Sequence, residues 1–341
     1  MRSICICLTC FALAALSGCN NTKEASTANS DSGKSEKLTI AVVPKSTGGE
    51  FWETVEQGAK DAATALDVDI KWEGTLTETE IAEQNKIIEN IINLGVDGMA
   101  VAPLNNKATA RSVAGAVDAG IPVAVFDSAL DGDKHFAFVA TNNVAGGAMG
   151  AKRMVEKLGE GTKRVLVFRY VQGTASTENR AKGFMDSAKE AGYEVVGDPY
   201  PEDGTVAGCK KTAVNTLEGY VKDNKLDLDG IFSCNLTTAL GVAAALSDLR
   251  KSGIEVNANF VGFDTSPKLI EGVMAGDIDA LVSQDPKKMG YLAVESVVKH
   301  LKGESVEKAV DTGVELVTKS RLETDAKIRE LVGMKEAAAA N

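Results

Sequence analysis

A set of polar residues recurs in this chain at one kind of place, the end of a short apolar run: Lys45, Asp127, Asn142, Tyr170, Asn235, Asp264 and Gln284. Arg180 and the adjacent aromatics Phe51 and Trp52 stand between such runs. These groups suit hydrogen bonding better than bond breaking. The carboxylates of Asp127 and Asp264 can each accept two hydroxyl protons, Arg180 offers a planar fork of donors, and Asn235 and Gln284 both donate and accept. Together they match a ligand with neighbouring hydroxyls.

Each residue also has a plainer reading. Asp264, in Gly262-Phe263-Asp264-Thr265-Ser266-Pro267, fits the cap of a helix beginning near Ser266, and Asp127 fits a turn. Phe51 or Trp52 fits a core position, Arg180 a pair with Glu178, Asn235 a satisfied turn amide and Gln284 a hinge. Catalysis has less to draw on. His135 and His300 are the only histidines, both in polar surroundings that suit solvent-exposed imidazoles, and no GxGxxG follows an apolar run. Gly33-Lys34-Ser35 looks like the end of a phosphate loop, yet the required upstream glycine is Ala28. The chain reads as a binding protein rather than an enzyme, with no metal and no cofactor.

The runs that carry the polar set read as strands at 38–43, 68–72, 98–102, 122–126, 136–140, 164–168, 194–196, 230–233, 259–263 and 278–283. Most are continuously apolar, as parallel strands covered on both faces require. Between them, Phe51, Val55, Ala59, Ala62 and Leu66 recur at helical spacing, as do Ile81, Ile88, Ile91 and Ile92. This alternation predicts right-handed βαβ units and an α/β fold. The strands are too many for one ordinary open sheet and divide near 140–143, which predicts two doubly wound parallel-sheet lobes. Ligands of such sheets bind beyond the carboxyl ends of the strands, where the polar set lies.

The 341 residues suffice for two domains, and apolar and charged fractions of 44% and 25% are those of a globular chain. A net charge of −11 without a basic patch argues against nucleic acid. Residues 1–18 read as an export leader: Arg2, then an apolar stretch from Ile4 to Leu16. That stretch is shorter than the about 20 apolar residues a membrane span takes. It closes on Leu16-Ser17-Gly18-Cys19, which resembles the bacterial lipobox and implies a lipid on Cys19. Residues 19–37 offer nothing to build a core and read as a flexible tether, and 333–341 as a disordered tail. Cys209 and Cys234 survive maturation; an oxidising compartment favours a disulfide between them, with two buried free thiols as the alternative.

Several segments, read in order, carry a family resemblance: Ala41-Val42-Val43-Pro44-Lys45, Gly49-Glu50-Phe51-Trp52, Pro122-Val123-Ala124-Val125-Phe126-Asp127 and Asn179-Arg180-Ala181-Lys182-Gly183-Phe184. Ile231-Phe232-Ser233-Cys234-Asn235, Val261-Gly262-Phe263-Asp264 and Val282-Ser283-Gln284 complete the series. From Leu38 to about Leu322 the chain resembles the ribose/galactose-type periplasmic solute-binding proteins of sugar ABC importers. The resemblance implies the periplasmic-binding-protein-like I fold, with an N-terminal lobe of 38–141 plus 285–312 and a C-terminal lobe of 142–284 plus 313–332. A three-segment hinge is expected at 141–142, 284–285 and 312–313.

The resemblance also implies a sugar clamped by Phe51, Trp52, Asp127, Arg180, Asn235, Asp264 and Gln284, with Lys45 and Asn142 beside them. The two aromatics would face the C–H surfaces of a pyranose ring. Ser128 stands where a ribose binder of this family carries arginine, so the expected ligand is a small polyhydroxylated solute. Implied partners are an ABC permease, its ATPase subunit and a bacterial membrane reached through the lipid on Cys19. The protein itself would be a monomer facing the periplasm or cell exterior. A sensing receptor that docks on a signalling partner when closed is the alternative role. Asp264 and Arg180 are expected to matter for binding but not for the stability of the empty protein.

Overall fold

The computed structural model describes residues 37–334. The leader, Cys19 and all of the expected tether except Lys37 lie outside the described residues, as do 335–341. Met334, expected in the tail, instead packs on a core cluster beside Leu331 and Val332, and its N–H donates to the Arg329 carbonyl at 2.8 Å.

The chain begins β1 (Thr39–Val43), α1 (Glu50–Leu66), β2 (Asp69–Trp72), α2 (Ile81–Leu94), β3 (Gly98–Val101), α3 (Ala110–Asp118), β4 (Val123–Phe126) and β5 (Ala137–Ala140). It continues through α4 (Asn143–Leu158), β6 (Arg164–Phe168), α5 (Ala175–Glu190), β7 (Glu194–Gly197) and α6 (Val206–Glu218). A small hairpin, β8 (Val221–Lys222) and β9 (Lys225–Leu226), precedes β10 (Gly230–Ser233), α7 (Leu236–Lys251), β11 (Asn259–Phe263), α8 (Pro267–Ala275) and β12 (Ala280–Ser283). The last elements are α9 (Pro286–Leu301), β13 (Ala309–Asp311), β14 (Glu315–Thr318), α10 (Lys319–Thr324) and α11 (Ala326–Leu331).

Two six-stranded sheets result, in the orders β13-β5-β4-β3-β1-β2 and β14-β12-β11-β10-β6-β7. Every pairing in them is parallel except β12 with β14. Strand alternation sorts the core into layers. Ile40 and Val42 of β1 pack with residues of α1 and α9, whereas Ala41 and Val43 pack with α2 and α3. In the second sheet Val165 and Val167 meet α4 and α5, and Leu166 and Phe168 meet α6 and α7. Strands β13 and β14 escaped the sequence reading because they are edge strands with Val317 their only buried residue. On α1 the core position belongs to Trp52, and Phe51 is only partly buried.

The chain passes between the sheets three times, after β5, after β12 and between β13 and β14. At these crossings the Thr141 and Thr312 hydroxyls lie 3.1 Å apart, and Asp311 Oδ1 accepts from the N–H of Asn142 at 3.2 Å and of Gly313 at 2.9 Å.

The helices that follow two of these crossings pack along glycines. A Cβ on Gly290 of α9 would lie 2.0 Å from the Val55 carbonyl oxygen, and one on Gly58 of α1 1.9 Å from that of Lys287. The other sheet repeats the device: Gly147 of α4 faces the Arg180 carbonyl and Gly183 of α5 faces that of Val144, at 2.0 and 2.1 Å by the same measure. Gly290→Ala therefore has to separate two helices and should destabilise by about 2–3 kcal/mol. Gly115→Ala, in α3 with open space around it, should stabilise by up to about 1 kcal/mol. Urea unfolding of both variants checks this, and equal midpoints would contradict it.

Candidate ligand-binding site

The carboxyl ends of both sheets open onto one cavity of about 260 Å³. Asp127 follows β4 and Asp264 follows β11, and both adopt left-handed backbone, with φ of 59° and 69°. That conformation is costly for residues other than glycine but is tolerated best by Asp and Asn. The two turns are built alike. The Asp127 N–H donates to the Val139 carbonyl at 3.0 Å, and the Asp264 N–H to that of Val282 at 2.7 Å, each reaching the adjacent strand.

Each aspartate meets one cation from its own lobe. Lys45 Nζ lies 2.6 Å from Asp127 Oδ2, both side chains being almost wholly buried. Lys45 is positioned by Gln84, which is itself fully buried: its Nε2 donates to the carbonyls of Pro44 and Ala102, and its Oε1 accepts from the Leu104 N–H. Across the cavity Arg180 is 3.6 Å from Asp264 Oδ2 and lies 4.0 Å over the Phe263 ring. Arg180 Nε donates to Asn143 Oδ1 at 2.7 Å and its NH1 to the Cys234 carbonyl at 3.1 Å. Glu178 pairs with Arg169 instead.

Asp264 does not cap the helix that follows it; Ser266 does, accepting from the Leu269 N–H. Asp264 accepts instead from Gln284 Nε2 at 2.7 Å and from the Leu236 N–H, at the start of α7, at 3.0 Å. Burial raises the Asp264 carboxyl above its ordinary range, and Arg180, Gln284 and the Leu236 N–H pull it back. Gln284 Oε1 is buried with no hydrogen-bond partner among the described residues, and Gln284 lines the cavity. Asn235 lines it too, while capping α7 in a capping box with Thr238.

The aromatic wall is Trp52, edge-on to Phe51 at 5.0 Å and to Phe126 at 6.4 Å. Trp52 Nε1 donates to Glu78 Oε1 at 2.8 Å. Glu78 sits in the loop between β2 and α2, several residues past the strand end, so attention to strand-final residues passes over it. Burial pushes its carboxyl up. Tyr170 supplies a further wall, its hydroxyl donating to the Gly204 carbonyl at 2.9 Å.

Along one lip the lobes bond directly. Thr174 Oγ1 donates to the Leu104 carbonyl at 2.9 Å, the Ser176 N–H to Ser128 Oγ at 3.0 Å, and Lys45 Nζ to Ser176 Oγ at 3.1 Å. The structure is thus closed over its cavity.

Three expectations are corrected. Asn142 is exposed and outside the cavity because its side chain caps α4, accepting from the Ala145 N–H at 3.1 Å. Cys209 and Cys234 are free thiols, not a disulfide: Cys209 packs on Gly241 of α7, while Cys234 lies beside Thr238 and Arg180. Burial pushes both thiols up to about 12. His135 is half-buried rather than exposed, whereas His300 is exposed as expected, stacking on Phe136 with ring centres 4.0 Å apart. Among the described residues no cluster of His, Cys, Asp or Glu is placed to hold a metal ion.

The burial of the Arg180–Asp264 pair also revises the stability expectation. Arg180→Met leaves Asp264 buried without its cation and should destabilise the empty protein by about 3 kcal/mol. Adding Asp264→Asn, which keeps a residue suited to the left-handed turn, should recover more than half of that. A thermal-unfolding double-mutant cycle decides, and purely additive losses would sink the coupling.

Residues 40–305 match the family model described as a periplasmic binding protein domain. The chain is 30% identical over 265 residues to the D-allose-binding periplasmic protein of Escherichia coli K12, covering 76% of this chain and 83% of that protein. It is 27% identical over 289 residues to a ribose import binding protein of Bacillus subtilis, covering 85% and 90%. Among solved structures, a carbohydrate transporter solute-binding protein of Agrobacterium radiobacter in complex with D-arabinose superposes with a TM-score of 0.80 at 29% identity, over 87% of this chain and 99% of that one. A solute-binding protein of Agrobacterium vitis with bound D-fucose gives 0.79 at 34% identity, over 86% and 99%. With paired sheets whose strand ends share one polar cavity, and a family match across most of its length, this chain belongs to the periplasmic binding proteins.

Proposed function

We propose that the protein is the solute-binding component of an ABC importer, capturing a small sugar or related polyhydroxylated solute between its lobes and delivering it to a membrane permease and its ATPase subunit. The observation that carries this reading is the convergence of two left-handed aspartates, Arg180, Asn235, Gln284 and Trp52 on one cavity. Carboxylates and amides bind vicinal hydroxyls in bidentate fashion, and the indole covers an apolar ring face. Relatives named for allose and ribose, and neighbours holding arabinose and fucose, support the same ligand class.

The three crossings serve as the hinge in this reading. Opening breaks the lip bonds of Thr174 and Ser176, and closure on solute remakes them and creates the surface a permease reads. The leader and the tetrapeptide ending at Cys19 support export and a lipid anchor, with a monomeric body held on its tether. No helix among the described residues is long and apolar enough to cross a membrane.

Calorimetry against pentoses, hexoses, polyols and their amino derivatives, D-ribose, D-allose, D-arabinose and D-fucose included, should give at least one single-site exotherm with affinity of about −8 to −11 kcal/mol. No heat from any member would end the proposal. Thr174→Val combined with Ser176→Ala removes side-chain bonds made only on closure, and should weaken the best ligand about 10-fold through the open–closed equilibrium. Unchanged affinity would show that the lip does not contribute to closure.

A further inference from the structure

The charges lining the cavity do not balance. Lys45 with Asp127 and Arg180 with Asp264 form one pair in each lobe, and among the described residues Glu78 is the only other charged side chain on the wall. The Glu78 carboxylate has Trp52 Nε1 as its one hydrogen-bond partner among the described residues. The groups facing it from neighbouring elements are Lys45, Asp127, Asp264 and the Tyr170 hydroxyl. Of these only Lys45 is cationic, and its ammonium is already taken by Asp127 and Ser176. Arg180, the remaining cation of the wall, is held by Asp264, Asn143 and the Cys234 carbonyl.

The cavity wall therefore carries three carboxylates and two cations, with Glu78 half-buried. A ligand that fills the cavity strips water from Glu78, and the unpaired charge is then strongly disfavoured unless a cation or a proton enters with the ligand. Hydroxyls of a plain sugar carry no charge to supply. A protonated amine supplies it as a compact charge with three donors.

On the proposed function, we infer that the cavity takes an amino sugar or amino polyol, its ammonium group facing Glu78 and its hydroxyls facing Asp127, Asp264 and Arg180. Glu78 is the residue that sets this preference. The competing solution, a proton on Glu78 with a neutral sugar bound, has the opposite pH response. An ammonium ligand requires ionised Glu78, so binding releases the proton that burial favours, and affinity rises as pH is raised through the carboxyl's elevated range. A neutral ligand retains that proton, and affinity falls over the same interval.

The test is calorimetry on the purified protein between about pH 5 and about pH 7, below the range in which the amines lose their own protons. The probes are matched pairs: D-glucosamine and D-glucose, D-galactosamine and D-galactose, an inosamine and its inositol. The expected result is at least one amine binding 10-fold or more tighter than its hydroxyl counterpart, and more tightly as pH rises. Glu78→Gln, which is nearly isosteric and still accepts from Trp52, should cancel that margin. The pH series on the unaltered protein stands even if the variant folds poorly. Neutral sugars binding as tightly as the amines, or affinity falling with pH, overturns the amine assignment and leaves the sugar-receptor reading standing. Binding by neither set overturns both.

Discussion

Taking Lys45, Asp127, Arg180 and Asp264 out of water costs several kcal/mol per ion before any attraction is counted, and the surroundings of the cavity follow from that cost. Each lobe buries one oppositely charged pair, so each of these four charges is matched within its own lobe. The remaining valences are met by fixed groups: the Leu236 N–H and Gln284 on Asp264, Asn143 and the Cys234 carbonyl on Arg180. The left-handed turns let both aspartates stand at strand ends while their own N–H groups stay bonded to the neighbouring strand. Charges held this way are prepaid in desolvation and orientation, which is what a receptor needs in order to discriminate among hydroxyl patterns.

The two lobes solve the same problem twice. In each, a strand-end aspartate, a cation from another element and a glycine-seamed helix pair recur, with α1 and α9 in one lobe and α5 and α4 in the other. Because α4 and α9 both follow crossings, the seams press the hinge-proximal helices against their lobes. Rigid lobes joined at three short crossings concentrate any motion in the crossings. The lip bonds from Thr174 and Ser176 are few and made by short side chains, so they are suited to being broken and remade.

Much of this was legible in the chain before any coordinates. Runs such as Val123–Phe126 are buried on both faces, and such a run can only be an interior parallel strand; the residue that follows it must then stand at the sheet's carboxyl end. That logic reached Lys45, Asp127, Asn235, Asp264 and Gln284. It failed for Asn142, whose polar end group serves a helix cap, and for β13 and β14, whose edge positions leave no continuous apolar run. It passed over Gln84 as well, since a buried amide on an amphipathic helix looks like a surface residue until the loops it joins are known.

The sequence by itself determined the strand–helix alternation, the division into two sheets and the residue types at the strand ends, because these rest on local periodicity and on side-chain chemistry. Tertiary structure alone decided which charges pair. Lys45 and Asp127 are far apart in the chain, as are Arg180 and Asp264, and only sheet order brings them within 2.6 and 3.6 Å. It also decided which aromatic enters the core, that two cysteines stay free thiols, and that Glu78, from a loop without strand or helix, joins the cavity wall. Those outcomes depend on what the rest of the chain places opposite each side chain, and no window of neighbouring residues contains that information.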